Sequence, residues 1–240
     1  MTRPNAHGQP IGEDVPGWVP AKPPPRTPIE GRFCRVEPLA AADHATDLFA
    51  AISEDPDGSS WTYMGYGPFA SRADYDAWIA ATTTGPDPFF YAIVDRPSGR
   101  AVGVASHLRI DPKHGVIEVG HIHYAPRLQR TPAATEAMFH LMRRVFDELG
   151  YRRYEWKCDA LNAPSRRAAT RLGFTYEGTF RQAMMYKGRN RDTAWYAMID
   201  REWPRLRAAY ETWLDPSSFD AEGQQRRPLG DLTAAALAAP

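Results

Sequence analysis

Between Tyr124 and Phe174 the hydrophobic period switches from two to about 3.6 and back, and this constrains the fold more than any other feature. Ala134, Ala137, Met138, Leu141, Met142, Val145, Phe146 and Leu149 recur at helical spacing and form one apolar stripe. Thr131 suits the N-cap of that helix and Pro132 its first position, while Gly150 suits its C-terminal stop. Ahead of it, Phe89–Asp95, Ala101–Ile110 and Val116–Tyr124 are expected as strands, separated by turn signals at 96–99 and 111–115. A strand at Tyr154–Cys158 follows, then a helix from Asn162 to Leu172 closed by Gly173. Phe174–Lys187 and Thr193–Ile199 complete the pattern as strands around a turn at 188–192. A meander, then helix, strand, helix and two closing strands is an α+β layout on a mostly antiparallel sheet.

Upstream, Phe33–Glu37 is expected as a short strand and Asp43–Ile52 as a helix. Ser71 with Asp74 three residues later opens another helix, running to about Thr82. Residues 1–31 are rich in Pro and Gly and are expected as an extended arm, lying on the domain or loose in solvent. Residues 32–204 form the domain, and 205–240 a C-terminal helix and tail; the helical pattern itself spans Arg201–Leu214, with Pro204 in its first turn. There is no internal repeat.

A chain of 240 residues with 43% hydrophobic content can build its core without disulfide staples. Cys34 and Cys158 lie far apart and show no metal-binding spacing, so no metal and a reduced, cytoplasmic setting are expected. The 29 basic and 29 acidic side chains cancel, which argues against a nucleic-acid partner. No apolar run approaches the roughly 18 residues needed to span a bilayer, and the N-terminus lacks the apolar core of a signal peptide. The arm could reach a neighbouring subunit, which would make a homodimer, or simply cover a sheet edge.

A loop feeding a helix N-terminus is a ready anion site, and here two helix starts, at Thr131 and Asn162, flank one strand. Such a pair suits a long ligand with a diphosphate and a reactive far end; coenzyme A is a ligand of that kind. The most specific string lies further on: Asn162-x-x-Ser165-Arg166, Arg171-Leu172-Gly173-Phe174-x-x-Glu177-Gly178, Gly188-x-x-x-Asp192 and Glu202-Trp203. On this string the chain, from about Gly31 to Pro204, resembles the GNAT superfamily of N-acetyltransferases, in the branch of the RimJ/RimL ribosomal-protein acetyltransferases. The resemblance implies a mixed, mostly antiparallel central sheet flanked by helices in three α/β/α layers, with acetyl-CoA as co-substrate.

The family's phosphate loop, Gln/Arg-x-x-Gly-x-Gly/Ala, would fall on 129–134, with Pro132 where the first glycine is expected. Proline has no N–H to give a phosphate oxygen. The amides of Gln129, Arg130, Thr131, Ala133 and Ala134 are left to cradle the diphosphate, beside Thr135 and with charge from Arg130. By resemblance, the backbone near Ile122, His123 and Tyr124 lies at a strand splay, where it pairs with pantetheine and stabilises the thioester oxygen. Asn162 would cap its helix and meet the pantetheine arm, and Arg166 or Arg167 could meet the phosphates or face solvent.

Amine acetylation needs a group to take the amine proton and benefits from an acid for the departing thiolate. Glu118, in the otherwise apolar run Val116-Ile117-Glu118-Val119, is the expected base, since burial would raise its proton affinity; the alternative is an ordinary carboxylate paired with Arg or Lys. His121 and His123, two apart on one strand face, are further candidates. Many relatives place a tyrosine acid where this chain has Ala169, so Ser165 or water takes that role. Cys158 is expected as a small buried hydrophobe. Trp61, Tyr63 and Tyr66 could line an acceptor pocket, or pin their loop to the core with Phe69. The expected activity is acetyl transfer to a primary amine of a small molecule or amino acid. The alternatives are protein N-terminal acetylation, an inactive coenzyme A-binding module, or another acyl donor such as succinyl-CoA.

Overall fold

The computed structural model describes residues 3–239; positions 1, 2 and 240, the outermost parts of the expected arm and tail, lie outside it. The arm carries two short paired strands, β1 (Arg3–Pro4) and β2 (Pro10–Ile11), followed by β3 (Ile29–Glu30). Then come β4 (Cys34–Pro38), α1 (Ala41–Ile52), α2 (Arg72–Thr82), β5 (Phe89–Asp95), β6 (Ala101–Asp111) and β7 (Val116–Tyr124). The second half contains α3 (Pro132–Arg143), β8 (Arg153–Asp159), α4 (Ala163–Arg171), β9 (Thr175–Tyr186), β10 (Arg189–Ile199), α5 (Trp203–Leu214) and α6 (Leu229–Ala238).

β3 to β10 form one sheet in the order β3-β4-β5-β6-β7-β8-β10-β9. Each neighbouring pair is antiparallel except β7 and β8, the one parallel pair, which α3 connects. One face packs on α1 and α2 through Leu48, Tyr75, Ile79, Phe90 and Val104. The other packs on α3, α4, α5 and α6 through residues such as Tyr154, Trp156, Leu141, Leu206 and Tyr210. This is the expected three-layer α+β architecture.

Local chemistry sets the helix starts. The Ser71 hydroxyl accepts the Asp74 amide at 3.1 Å, and the Thr131 hydroxyl accepts the Ala134 amide at 3.2 Å with Pro132 at the first position. Beyond Arg143 the helix widens into a π-helical turn over Arg144–Glu148. That turn buries Arg144, which donates to the Thr27 carbonyl at 2.8 Å and so fastens the arm. Further contacts seat the arm along the domain: the Lys22 amide on the Leu149 carbonyl, and the Trp18 indole N–H on the Lys113 carbonyl.

Two expectations are corrected. The turn between the last two strands is Lys187–Gly188 rather than 188–192: Tyr186 pairs with Arg189, and both turn residues have positive φ (49° and 70°), as a tight hairpin demands. Asp192 sits at a bulge within the strand, its carboxylate accepting the Gln182 amide. The C-terminal segment is not all tail, since α6 docks on α4 and α5 with Leu229 and Thr233 buried.

Candidate active site

The parallel pairing of β7 with β8 runs from Val116–Arg153 to Val119–Trp156 and then stops. Residues 120–124 make no such pairs with 157–159, so the two strands part there. A bulge helps to set this path. Ser106 pairs with Gly120 and Val104 with His123, so Ala105 faces two residues, His121 and Ile122. His121 absorbs the extra residue in the left-handed region (φ 51°). The bulge leaves His121 and His123 on the α1/α2 side of the sheet. Ile122 and Tyr124 face the other core.

On that α1/α2 side Glu118 is buried, as expected from its strand, but it has company. Its Oε2 accepts Arg109 Nη1 at 2.6 Å and Lys157 Nζ at 2.9 Å. Its Oε1 has no partner among the described residues and lies 3.6 Å from where a Cβ on Gly120 would stand. One carboxylate oxygen is therefore anchored, and the other faces the start of the splay. Lys157 is itself held by Glu155 Oε2 at 2.7 Å and lies 3.7 Å over the Trp195 ring. Sequence reasoning missed Lys157. The available signal was the alternation of Arg153, Glu155 and Lys157 with apolar Tyr154, Trp156 and Cys158, which marks a strand with one charged face.

Burial pushes His123 down to about 4, and burial followed by the nearby Arg109 charge pushes His121 to about 4. Both imidazoles are thus neutral near pH 7. His123 shares a 2.8 Å hydrogen bond with the Ser60 hydroxyl and stacks on Trp61 at 3.8 Å; His121 shares one of 3.1 Å with the Tyr66 hydroxyl. Trp61 and Tyr66 belong to an aromatic cluster with Phe69, Tyr75 and Trp78 that pins the α1–α2 loop to the core. Tyr63 reaches further and donates to the Leu161 carbonyl at 3.2 Å. Lys187 and Arg189, in the β9–β10 hairpin, donate to the carbonyls of Trp61 and Thr62 at 2.8 and 2.7 Å. The loop thus spans from β7 to the far side of the opening.

The opposite side fits a long anionic ligand, with fewer donors than expected. The amides of Arg130, Thr131 and Ala133 have no hydrogen-bond partner among the described residues, and Arg130 takes a left-handed conformation (φ 61°) at the mouth of α3. The Gln129 amide is committed to the carbonyls of Ala125 and Pro126, and that of Ala134 to its cap, so neither is an open donor. Thr135 is buried, and its hydroxyl accepts Arg171 Nη2 at 3.2 Å, which ties α4 to α3. The Gln129 side chain donates to the Tyr124 carbonyl at 2.9 Å. Arg166 is held by the Tyr196 hydroxyl and the Ala160 carbonyl. Asn162 Oδ1 caps α4 by accepting the Ser165 amide at 3.1 Å. The Ser165 hydroxyl accepts the Trp156 indole N–H at 3.0 Å, which leaves its own proton to donate. Burial pushes the Cys158 thiol up, with the Ser165 hydroxyl opposing, and Ala169 is fully buried. Among the described residues, no group of three or more His, Cys, Asp or Glu could hold a metal ion, and no helix is long and apolar enough to cross a membrane.

Residues 35–175 match the acetyltransferase (GNAT) domain family. A GCN5-related N-acetyltransferase from Brucella melitensis superimposes with a TM-score of 0.89 at 48% identity, over 92% of this chain and 100% of that one. A protein from Chromobacterium violaceum ATCC 12472, described as of the GNAT family, gives a TM-score of 0.76 at 41% identity, over 82% of this chain and 98% of that one. The microcin C7 self-immunity acetyltransferase MccE, solved with acetyl-CoA and AMP, shares the fold alone, at 21% identity and a TM-score of 0.62 over 70% of this chain and 93% of that one. No curated protein matches the chain. A family match over more than half of the sequence, together with close identity over nearly all of it, makes this chain a member of the GNAT family, an acetyl-CoA-dependent N-acetyltransferase.

Proposed function

We propose that the protein moves the acetyl group of acetyl-CoA to the primary amine of a small molecule or amino acid, by direct attack within a ternary complex. The observation that carries this reading is buried Glu118, with Oε2 anchored by two cations and Oε1 without a partner among the described residues, beside Gly120 at the base of the splay. An ion-paired carboxylate offers acceptor oxygens only, so Oε1 takes the proton of the incoming amine, directly or through a water. The amine nitrogen bonds to the thioester carbonyl carbon, the C–S bond breaks, and the thiolate collects a proton. Ser165, whose hydroxyl proton is not spent on Trp156, supports the sulfur end, with water as the alternative donor. The backbone of Ile122, His123 and Tyr124 supports pantetheine and the thioester oxygen. The amides of Arg130, Thr131 and Ala133 at the positive end of α3 support the diphosphate. The side chain of Asn162 has Nδ2 available for the pantetheine arm.

A small acceptor is favoured over a folded protein because the α1–α2 loop is tied across the opening, from Ser60 on His123 to Thr62 on Arg189. A loop so tied restricts access past His123 for a bulky acceptor. Replacing Glu118 by Gln keeps shape and removes the proton acceptor. We expect kcat for the best amine to fall by about 10²- to 10⁴-fold with the calorimetric Kd for acetyl-CoA unchanged. Full rate in Glu118→Gln would place the base elsewhere. Acetyl-CoA binding by the wild type without thiol release for any amine would return the protein to a binding module.

A further inference from the structure

We propose that Arg109 anchors a carboxylate of the acceptor, so that the acceptor is of the α-amino-acid type, with its reacting amine beside a free carboxylate. The proposal rests on the N-acetyltransferase reading above and specifies its acceptor.

Arg109 is held in place by backbone geometry that an ordinary strand residue does not need. It lies at a second bulge of β6, between the pairs Leu108–Glu118 and Asp111–Val116, with φ 47°. A non-glycine residue in the left-handed region is costly unless its surroundings enforce it. Here Asp87 does so: its two carboxylate oxygens accept the amides of Arg109 and Ile110 at 3.0 and 2.9 Å. The side chain then turns onto Glu118. Its Nη1 meets Glu118 Oε2 at 2.6 Å, while Nε and Nη2 have no partner among the described residues. The Arg109 side chain is 53% exposed against 4% for Glu118, so it can be reached from solvent. Its charge is also felt at His121, where it adds to burial in holding the imidazole neutral.

The charges across this sheet face alternate in sign: Arg109, Glu118, Lys157, Glu155, Arg153, Glu177. Lys157 is saturated by two carboxylates and a ring face, and Arg153 by Glu155 and Glu177. Arg109 is the end of this row with donors to spare. An α-amino acid adds one more unit in the same alternation, its amine at Glu118 Oε1 and its carboxylate at Arg109. The amine and carboxylate of an α-amino acid are separated by a single carbon, so both can be engaged by two groups that are themselves in contact, as Glu118 and Arg109 are. A protein N-terminus carries an amide in place of that carboxylate and forgoes the contact.

The test uses the full-length chain and compares each α-amino acid with its own C-terminal amide, by thiol release from acetyl-CoA. A charge-assisted contact worth about 10- to 100-fold in kcat/KM should separate acid from amide in the wild type. Arg109→Gln should collapse this acid-to-amide ratio toward one, mainly through KM, and Arg109→Lys should restore part of it. A purely structural role for Arg109 would lower both rates and leave their ratio alone. Equal rates for acid and amide in the wild type, or an unchanged ratio in Arg109→Gln, would overturn the proposal and leave the acetyltransferase reading intact. Should Arg109→Gln fail to fold, the wild-type ratio and Arg109→Lys still decide. Absence of thiol release from every amine, with acetyl-CoA bound, would remove the transferase reading and this proposal with it.

Discussion

His121 and His123 are neutral because they are buried, and neutrality there has a consequence for stability. An unfolded imidazole titrates near 6.5, whereas burial pushes both of these down to about 4. Between those values the unfolded chain binds more protons than the folded one, so stability increases with pH across that window. The contribution is complete above about 6.5 and is lost as pH falls toward 4. For His123 alone it is at most on the order of 3 kcal/mol, and buried His107, pushed to about 3, acts in the same direction. We expect the urea midpoint to fall markedly from pH 7 to pH 5, and to fall less in His123→Gln. A flat midpoint across that range would mean that these side chains are hydrated in solution. Glu118 belongs to the same scale. A lone carboxylate in an apolar strand is conspicuous in sequence, whereas its partners are not: Arg109 comes from the neighbouring strand and Lys157 from a strand 39 positions away, joined only by sheet register.

At the scale of elements, what could be anticipated was what local chemistry decides. The caps at Ser71, Thr131 and Asn162 all form as their spacing implies, because each joins residues three apart. The β9–β10 hairpin misled because Arg189, Asn190, Arg191 and Asp192 look like a polar turn. They are in fact strand residues on an exposed ribbon, where polarity carries no information about conformation. The phosphate cradle misled in another way. Counting amides along 129–134 ignores the turn at Ala125–Gln129 and the cap itself, which consume two of them. The cap should therefore couple helix and ligand. Thr131→Ala is expected to cost about 1 kcal/mol of stability and to weaken acetyl-CoA by several-fold, because the first turn that presents Ala133 would fray. Lost stability with unchanged affinity would show that the diphosphate rests elsewhere.

At the scale of the molecule, the site is assembled by pieces that lie far from it in sequence. α4 carries Asn162 and Ser165, and its position is set from behind. The Thr233 hydroxyl of α6 donates to the Arg171 carbonyl at 3.0 Å, and the Tyr210 hydroxyl of α5 donates to the Leu172 carbonyl at 2.9 Å. Between them Gly173 takes φ 88°, and a Cβ there would stand 2.6 Å from Leu206 Cδ2, so the α4–β9 corner admits no larger residue without a shift. α6 was hidden in sequence because an alanine-rich run is equally at home in a tail. Only the burial of Leu229 and Thr233 reveals its docking. If α6 is a fixed part of the domain, Leu229→Ala should cost about 2–4 kcal/mol in urea unfolding, as for other fully buried leucines. Because Leu229 is buried in the core at α6, behind α4, kcat and the Kd for acetyl-CoA should be preserved well below the melting temperature. Were stability unaffected, α6 would be undocked in solution. Were affinity to fall along with it, α6 would be setting the geometry of Asn162 and Ser165 as well as covering the core, and the C-terminal segment would count as part of the active-site scaffold.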